Sequence, residues 1–109
     1  MLTPAAAIQE LDAALREAGQ IVTLRRGPKA DPVATVTVMA HVRGFRPDEL
    51  IGGINQNDSK VILSPTGLGD FIPKEDDWIE IDGSFRSVLA VGLVRMADTL
   101  VRIEMTVKG

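Results

Sequence analysis

The chain of 109 residues contains no cysteine and no tyrosine, together with one histidine, one tryptophan and three phenylalanines. The absence of cysteine excludes both a disulfide framework and a thiolate metal site. A zinc site built on a single histidine would need carboxylates for its other ligands, so we expect no metal and no cofactor. Because aromatic residues make up only 4% of the chain, we expect a core of Val, Ile, Leu and Ala.

The sequence also lacks an excess of positive charge and a long apolar run. Its 12 Lys and Arg residues against 15 Asp and Glu residues give a net charge of −3, which argues against a general nucleic-acid-binding protein. No run approaches the roughly 18 apolar residues of a membrane span. No basic segment precedes an apolar stretch, as it would in a signal peptide. These absences predict a soluble protein, made in a reducing cytoplasm and without membrane contact.

Residues 1–19 carry the pattern of one helix, which is expected to begin at Thr3 and end at Gly19. Thr3 is a good N-cap, and Pro4 suits the first helical position because its missing N–H costs nothing there. One apolar stripe has helical spacing and consists of Ile8, Leu11, Leu15 and Ala18. Gly19 is expected to end the helix in a left-handed conformation. Because the stripe is narrow, we expect the helix to pack on a larger structure.

After residue 19 the apolar residues repeat at every second position, as they do in strands. The clearest strand is Val33–Arg43, and Asp82-Gly83 is a hairpin signal between Trp78–Ile81 and Phe85–Val94. The last strand has an alternating apolar face formed by Val101, Ile103, Met105 and Val107. About six strands therefore follow one helix without β-helix-β alternation, which predicts a mainly β fold with an antiparallel sheet.

A small β-barrel or a two-sheet sandwich would close this sheet and limit its exposed edges. The length favours one domain over residues 1–109. We expect the helix in residues 1–19 and the barrel, with a long loop, in residues 20–109.

The long loop spans Gly44–Asp58 and interrupts the strand pattern. It is rich in Gly, Asn and Gln, yet it carries several apolar residues, and long loops of this kind are often functional. It either folds back over one end of the barrel or forms an arm that orders against a neighbouring subunit; simple disorder is the third alternative. We expect subunit or partner contacts at Phe45, Arg46, Leu50, Ile51, Ile54, Asn55 and Gln56.

Two groups of opposite charge lie far apart in the sequence. Arg25 and Arg26 are basic, whereas Asp76 and Asp77 belong to an acidic stretch. Solvated faces are the common explanation for such groups. If they instead meet across a head-to-tail contact between subunits, these four residues form a charge-pair interface, because cyclic rings are built from such contacts.

The sequence predicts no catalytic residue. The only histidine, His41, falls on the outer face of a predicted strand, where a surface role is usual. The spacing around Asp76-Asp77 is not that of an EF-hand calcium loop. A domain of this size also has little room for the cleft of a paired-carboxylate hydrolase. We therefore expect a protein that is not an enzyme.

The order of several short motifs resembles that of a known family. A helix leads into Val22-Thr23-Leu24-Arg25-Arg26, and the long loop ends at Asn57-Asp58-Ser59-Lys60-Val61-Ile62-Leu63. The later motifs are Pro73-Lys74, Trp78-Ile79, Ile81-Asp82-Gly83 and Phe85-Arg86-Ser87-Val88. Together they cover nearly the whole chain and are similar to the head–tail joining (head-closure, or stopper) proteins of long-tailed phages.

This resemblance implies a virion structural protein, made in the cytoplasm of a host bacterium, that forms a homo-oligomeric ring (a hexamer or dodecamer) at the head–tail junction. The ring would lie between the portal or its adaptor and the tail terminator or tail tube. Double-stranded DNA would pass through its lumen without sequence-specific binding, and the ring would help to retain packaged DNA. The loop of residues 44–58 corresponds to a segment used for subunit contact or channel closure.

Several alternatives remain open at the level of sequence. The same module occurs in phages, prophages and gene transfer agents. A tail terminator or another neck protein is the nearest structural alternative. A non-catalytic ligand-binding β-barrel is a different class, and it would require an enclosed apolar cavity.

Overall fold

A computed structural model describes residues 3–27, 33–44 and 58–108 of the chain. These residues form one helix and six strands: α1 Pro4–Ala18, β1 Gln20–Arg26, β2 Ala34–Gly44, β3 Ser59–Leu63, β4 Trp78–Ile81, β5 Ser84–Met96 and β6 Thr99–Val107. The fold is mainly β with one N-terminal helix, as the sequence predicts.

The six strands form a closed barrel in the order β1-β2-β3-β6-β5-β4, and every neighbouring pair is antiparallel. This order decides between the two closures that the sequence left open, because the sheet closes on itself through the β1–β4 pairing. Closure follows from the alternating pattern: each strand has one apolar face, and a barrel buries all of these faces in a single interior.

Aliphatic side chains fill the barrel interior. The largest apolar side chains that are almost fully buried are Leu24, Leu63, Ile79, Ile103, Met105, Val22, Val61, Val88 and Val107. All four residues of the predicted apolar face of β6 are buried, and Val38 and Ala40 are buried in β2. The prediction of an aliphatic core is therefore confirmed.

Helix α1 begins as predicted but ends differently. The Thr3 side chain accepts a hydrogen bond from the Ala6 amide at 3.1 Å, and Pro4 is the first helical residue. Gly19, however, has φ −88° and ψ 177°, so the prediction of a left-handed helix end is wrong. Glycine is needed here for close packing, because a Cβ atom would lie 2.4 Å from the Leu15 carbonyl oxygen and 2.9 Å from that of Ala40.

Two tight turns close the β4–β5 and β5–β6 hairpins. Asp82 and Gly83 both have positive φ (52° and 82°), and Ile81 pairs with Ser84, which makes this the two-residue type I′ turn that suits a twisted hairpin. The predicted hairpin is confirmed. The second turn places Ala97 and Asp98 at φ 49° and 65°.

The connection from Ser64 to Asp77 completes the core. Leu68 and Phe71 are buried in this connection and belong to the same apolar cluster as the barrel strands. The strand and helix patterns of the sequence do not predict a core role for these two residues. The helix in the described part of the chain is neither long nor apolar enough to cross a membrane.

Candidate functional site

The barrel has two ends, and different connections between strands lie at each. At one end β2 finishes at Gly44 and β3 starts at Ser59, which pairs with it. We call this the loop end, because residues 45–57 connect these two strands here. Asp58, which precedes β3, is buried. The seven predicted contact residues of the loop all lie outside the described residues: Phe45, Arg46, Leu50, Ile51, Ile54, Asn55 and Gln56.

The four charged residues of the predicted interface lie at the opposite end. β1 runs away from the loop end and finishes at Arg26, which pairs with Ala34 at the start of β2. β4 starts at this same end, directly after Asp76 and Asp77.

At this end Arg26 and Asp77 form a two-point ion pair within one chain. Arg26 Nε donates to Asp77 Oδ1 at 3.0 Å, and the terminal nitrogen Nη2 donates to Asp77 Oδ2 at 2.9 Å. Arg26 Nη2 also donates to the Ile72 carbonyl at 2.6 Å, and its guanidinium lies 4.4 Å from the centre of the Phe71 ring. The Lys74 amide donates to Asp77 Oδ2 at 2.9 Å. We call these five residues the Arg26–Asp77 clamp, and this end of the barrel the clamp end.

The clamp buries a carboxylate while its partner still reaches solvent. The Asp77 side chain is 2% exposed, whereas that of Arg26 is 28% exposed. The hydrogen bond to Asp77 raises the pKa of Arg26 above its ordinary value, although desolvation acts in the opposite direction. A buried carboxylate is tolerated only when it is paired and hydrogen-bonded. The clamp therefore fixes the 64–77 connection against the end of β1.

Arg25 makes a second contact of the same kind on the outer side of β1. Its Nη2 atom lies 3.1 Å from Glu80 Oε1, and its guanidinium lies 4.8 Å from the centre of the Phe85 ring. Of the four charged residues predicted to form an interface, Asp76 is exposed at φ 72°. Arg26 and Asp77 instead pair within the chain, because the β1–β4 register brings them together. A charge-pair interface between subunits stays a prediction for these four residues.

Helix α1 lies outside the barrel and borders open grooves whose linings include apolar side chains. Leu15 is its one buried residue among those described, and the predicted stripe residue Ala18 is exposed. A groove of about 390 Å³ lies between α1 and the β5–β6 hairpin, lined by Leu11, Val94, Met96 and Val101 among others.

The second groove, of about 300 Å³, runs along the other flank of the helix. Its lining includes Leu11, Leu15, Ile62 and His41. His41 is thus on the outer face of β2, as predicted, but it is half-buried beside the helix. Both grooves lie outside the barrel and are open to solvent, whereas the barrel interior is filled by side chains.

Within residues 3–27, 33–44 and 58–108, no three or more His, Cys, Asp or Glu side chains group together so that they could hold a metal ion. No protein-family model matches the chain, and no curated protein matches it.

Proposed function

We propose that this protein is a structural subunit of a ring at the head–tail junction of a tailed phage or phage-like particle. The observation that carries this proposal is the closed six-stranded barrel that follows one N-terminal helix. A small β-barrel subunit of this kind is what the resemblance to head–tail joining proteins implies. The motif order along the whole chain is its second support.

A filled barrel supports a structural role and not an enzymatic one. Its interior is occupied by packed aliphatic side chains, and the grooves beside α1 are open. A small-molecule site is usually an enclosed pocket with a few convergent polar groups. We therefore propose that the protein acts through contacts made by its outer surface.

The difference between the two barrel ends supports a protein that joins two unlike neighbours. The loop end carries the connection of residues 45–57, and the clamp end carries the braced connection of residues 64–77. In the proposed ring one end faces the portal or adaptor and the other faces the tail terminator or tail tube. DNA passes through the lumen without sequence-specific binding, in keeping with the net charge of −3.

Electron microscopy tests this proposal directly. Purified chain, alone and mixed with portal-bearing heads, is expected to form rings, and on heads these rings are expected to cap the portal vertex. A chain that forms no ring and does not bind such heads would contradict the proposal. Binding to isolated tails and not to heads would identify a tail terminator instead.

The loop residues predicted from sequence give the matched variants for this experiment. Leu50→Asp and Ile51→Asp are expected to leave the barrel folded and to abolish ring formation, because they place charge in a contact segment. Leu50→Met and Ile51→Val are the controls and are expected to retain rings. If the Asp variants unfold the isolated chain, the loop belongs to the core and not to a subunit contact.

A further inference from the structure

Strand β5 is much longer than the strand that covers its outer edge. β5 has 13 residues and pairs along almost its whole length with β6. On its other side, β4 pairs with Ser84–Ser87 and covers no more of β5. Backbone hydrogen bonding on this side of β5 extends one residue further, to Val88. The Val88 carbonyl accepts from the Asp76 amide at 3.0 Å, and the Val88 amide donates to the Asp77 carbonyl at 2.9 Å.

Beyond Val88 this edge of β5 has no hydrogen-bonded partner among residues 3–27, 33–44 and 58–108. Register irregularities flank the run, one between Val88 and Ala90 and one between Val94 and Arg95. Between these irregularities, Ala90–Val94 pairs regularly with β6 on one side and has no described backbone partner on the other, and we call this stretch the β5 edge. Ala90 and Gly92 are exposed, and Leu89 beside them is 41% exposed.

Among the described residues, the run from Ser87 to Val94 lacks several of the features that keep sheet edges from pairing. Natural edges carry charged residues or proline, or are covered by other segments. From Ser87 to Val94 the sequence is Ser-Val-Leu-Ala-Val-Gly-Leu-Val, with neither charge nor proline. Such a run is a template for another extended strand.

We propose that the β5 edge pairs with the β5 edge of a second copy of this chain, antiparallel and about a two-fold axis at Gly92. Opposed residues in an antiparallel pair lie on the same face of the sheet. Val91 and Leu93 face the core side, because they pair with the buried Met105 and Ile103. A two-fold axis at Gly92 then sets Val91 opposite the partner's Leu93, and Ala90 opposite the partner's Val94.

The charges at the two ends of the β5 edge favour a second copy of this chain as the pairing partner. Arg95 is exposed at one end of the edge, and Asp76 is exposed at the other, where its amide bonds Val88. Arg95 follows the edge at one end and Asp76 adjoins it at the other, so a two-fold axis at Gly92 brings each Arg95 toward the partner's Asp76. The symmetry repeats this pairing of opposite charges at both ends, and no like charges face each other along the run.

This contact is independent of the proposed ring. A ring needs a head-to-tail contact between two different surfaces, whereas the β5 edge contacts itself and joins two chains. The experiments must therefore separate the two kinds of association.

Sedimentation of Gly92→Lys and Gly92→Ala is the first test. A Cβ atom on Gly92 is accommodated, since its nearest neighbour would be the Glu104 carbonyl oxygen at 3.6 Å and its φ is not positive. Gly92→Lys places two like charges at the axis and is expected to weaken the dimer at least about tenfold. Gly92→Ala is expected to dimerise like the native chain.

A native chain that stays monomeric up to millimolar concentration would overturn the inference. So would a dimer that Gly92→Lys leaves unchanged, because it must use another surface. Rings that survive Gly92→Lys would leave the proposed function standing, so failure of one proposal is distinguishable from failure of the other.

Cysteine cross-linking tests the register, and the native chain adds no background because it has no cysteine. Residues at a two-fold axis between antiparallel strands have Cα atoms roughly 4.5–5.5 Å apart, within the range of a disulfide. Gly92→Cys is expected to form a disulfide-linked dimer on mild oxidation, and Thr106→Cys on the neighbouring strand is expected to stay monomeric. Ala90→Cys and Val94→Cys are expected to cross-link with each other when mixed, and neither with itself. Equal cross-linking of Thr106→Cys, or self-cross-linking of Ala90→Cys, would contradict the proposed pairing.

Discussion

Arg26 and Asp77, 51 residues apart in the chain, meet through two parallel hydrogen bonds of 3.0 and 2.9 Å at the end of the barrel. Two further hydrogen bonds support the pair: Arg26 donates to the Ile72 carbonyl, and Asp77 accepts from the Lys74 amide within the same connection. The pair thus joins the end of β1 to the connection that carries Leu68 and Phe71 into the core. Surface ion pairs contribute little to stability, but this one has a carboxylate that is almost fully buried.

Removing the buried carboxylate should therefore cost much more than removing an exposed neighbour. Asp77→Ala is expected to lower the free energy of unfolding by about 2–4 kcal/mol, because Arg26 and the Lys74 amide lose their acceptor. Asp76→Asn is the matched control and is expected to change stability by less than about 0.5 kcal/mol, since Asp76 is exposed and Asn tolerates positive φ. Urea unfolding of both variants measures the difference, and equal losses would show that the clamp is not a stabilising contact.

Glycine at position 19 should be required for the packing of α1 on the barrel. In Gly19→Ala the added Cβ would lie 2.4 Å from the Leu15 carbonyl oxygen, so the helix end must shift, with an expected loss of about 1–3 kcal/mol. Gly44→Ala is the control, because no described atom lies within 4 Å of that Cβ position and the φ is not positive. It is expected to be neutral or to stabilise by up to about 1 kcal/mol. Thermal and urea unfolding of the two variants would reveal the contrast, and a neutral Gly19→Ala would contradict the steric argument.

Much of the barrel could be predicted from local pattern. The alternation of Val101, Ile103, Met105 and Val107 is decided by the strand period, and Asp82-Gly83 has the residues that a type I′ turn requires. The burial of Leu68 and Phe71 could not be predicted, because a connection rich in Pro and Gly has no helical or strand periodicity that indicates which side chains face the core. Their apolar side chains were the one feature of the sequence that pointed to burial.

The contacts at the candidate site depend on register, which the sequence does not reveal. Arg26 meets Asp77 because β1 pairs with β4 as Arg25 opposite Trp78, and no spacing within the chain predicts that alignment. The β5 edge is likewise invisible in the sequence, since it exists only because the strand beside it is shorter. Pairing partners are set by tertiary structure and loop closure, which act over long separations.

The β5–β6 turn contains a residue that is poorly suited to its conformation. Ala97 has φ 49°, a left-handed conformation that costs a residue with a Cβ roughly 1–2 kcal/mol. Ala97→Asn or Ala97→Gly is expected to raise the free energy of unfolding by about 1 kcal/mol, because both residues favour type I′ turns. Ala97→Val is the opposing variant and is expected to destabilise the chain, since β-branched residues tolerate positive φ least. A calorimetric series in which Val stabilises and Asn does not would contradict the assigned turn.

Glu104 should make the stability of the barrel depend on pH in the acid range. Lys60 Nζ lies 2.8 Å from Glu104 Oε1, and Arg102 Nη2 lies 3.1 Å from Oε2. The hydrogen bond from Lys60 holds the pKa of Glu104 below its ordinary value of 4.5, with smaller contributions from the charges of Lys60 and Arg102. Because the pKa is lower in the folded chain than in the unfolded chain, the stabilisation is present above pH 4.5 and is lost as the pH falls through the folded pKa.

Unfolding free energies of the native chain and of Glu104→Gln, measured by urea across the acid range, test this assignment. The native chain is expected to exceed the variant at neutral pH, and the difference is expected to shrink as the pH falls below 4.5. Lys60→Met removes the main cause of the lowered pKa. When Glu104→Gln is added to a chain that already carries Lys60→Met, the resulting change in unfolding free energy should therefore depend less on pH. A difference that is constant with pH, or that grows on acidification, would show that the Lys60–Glu104 contact does not hold the carboxylate in its charged form.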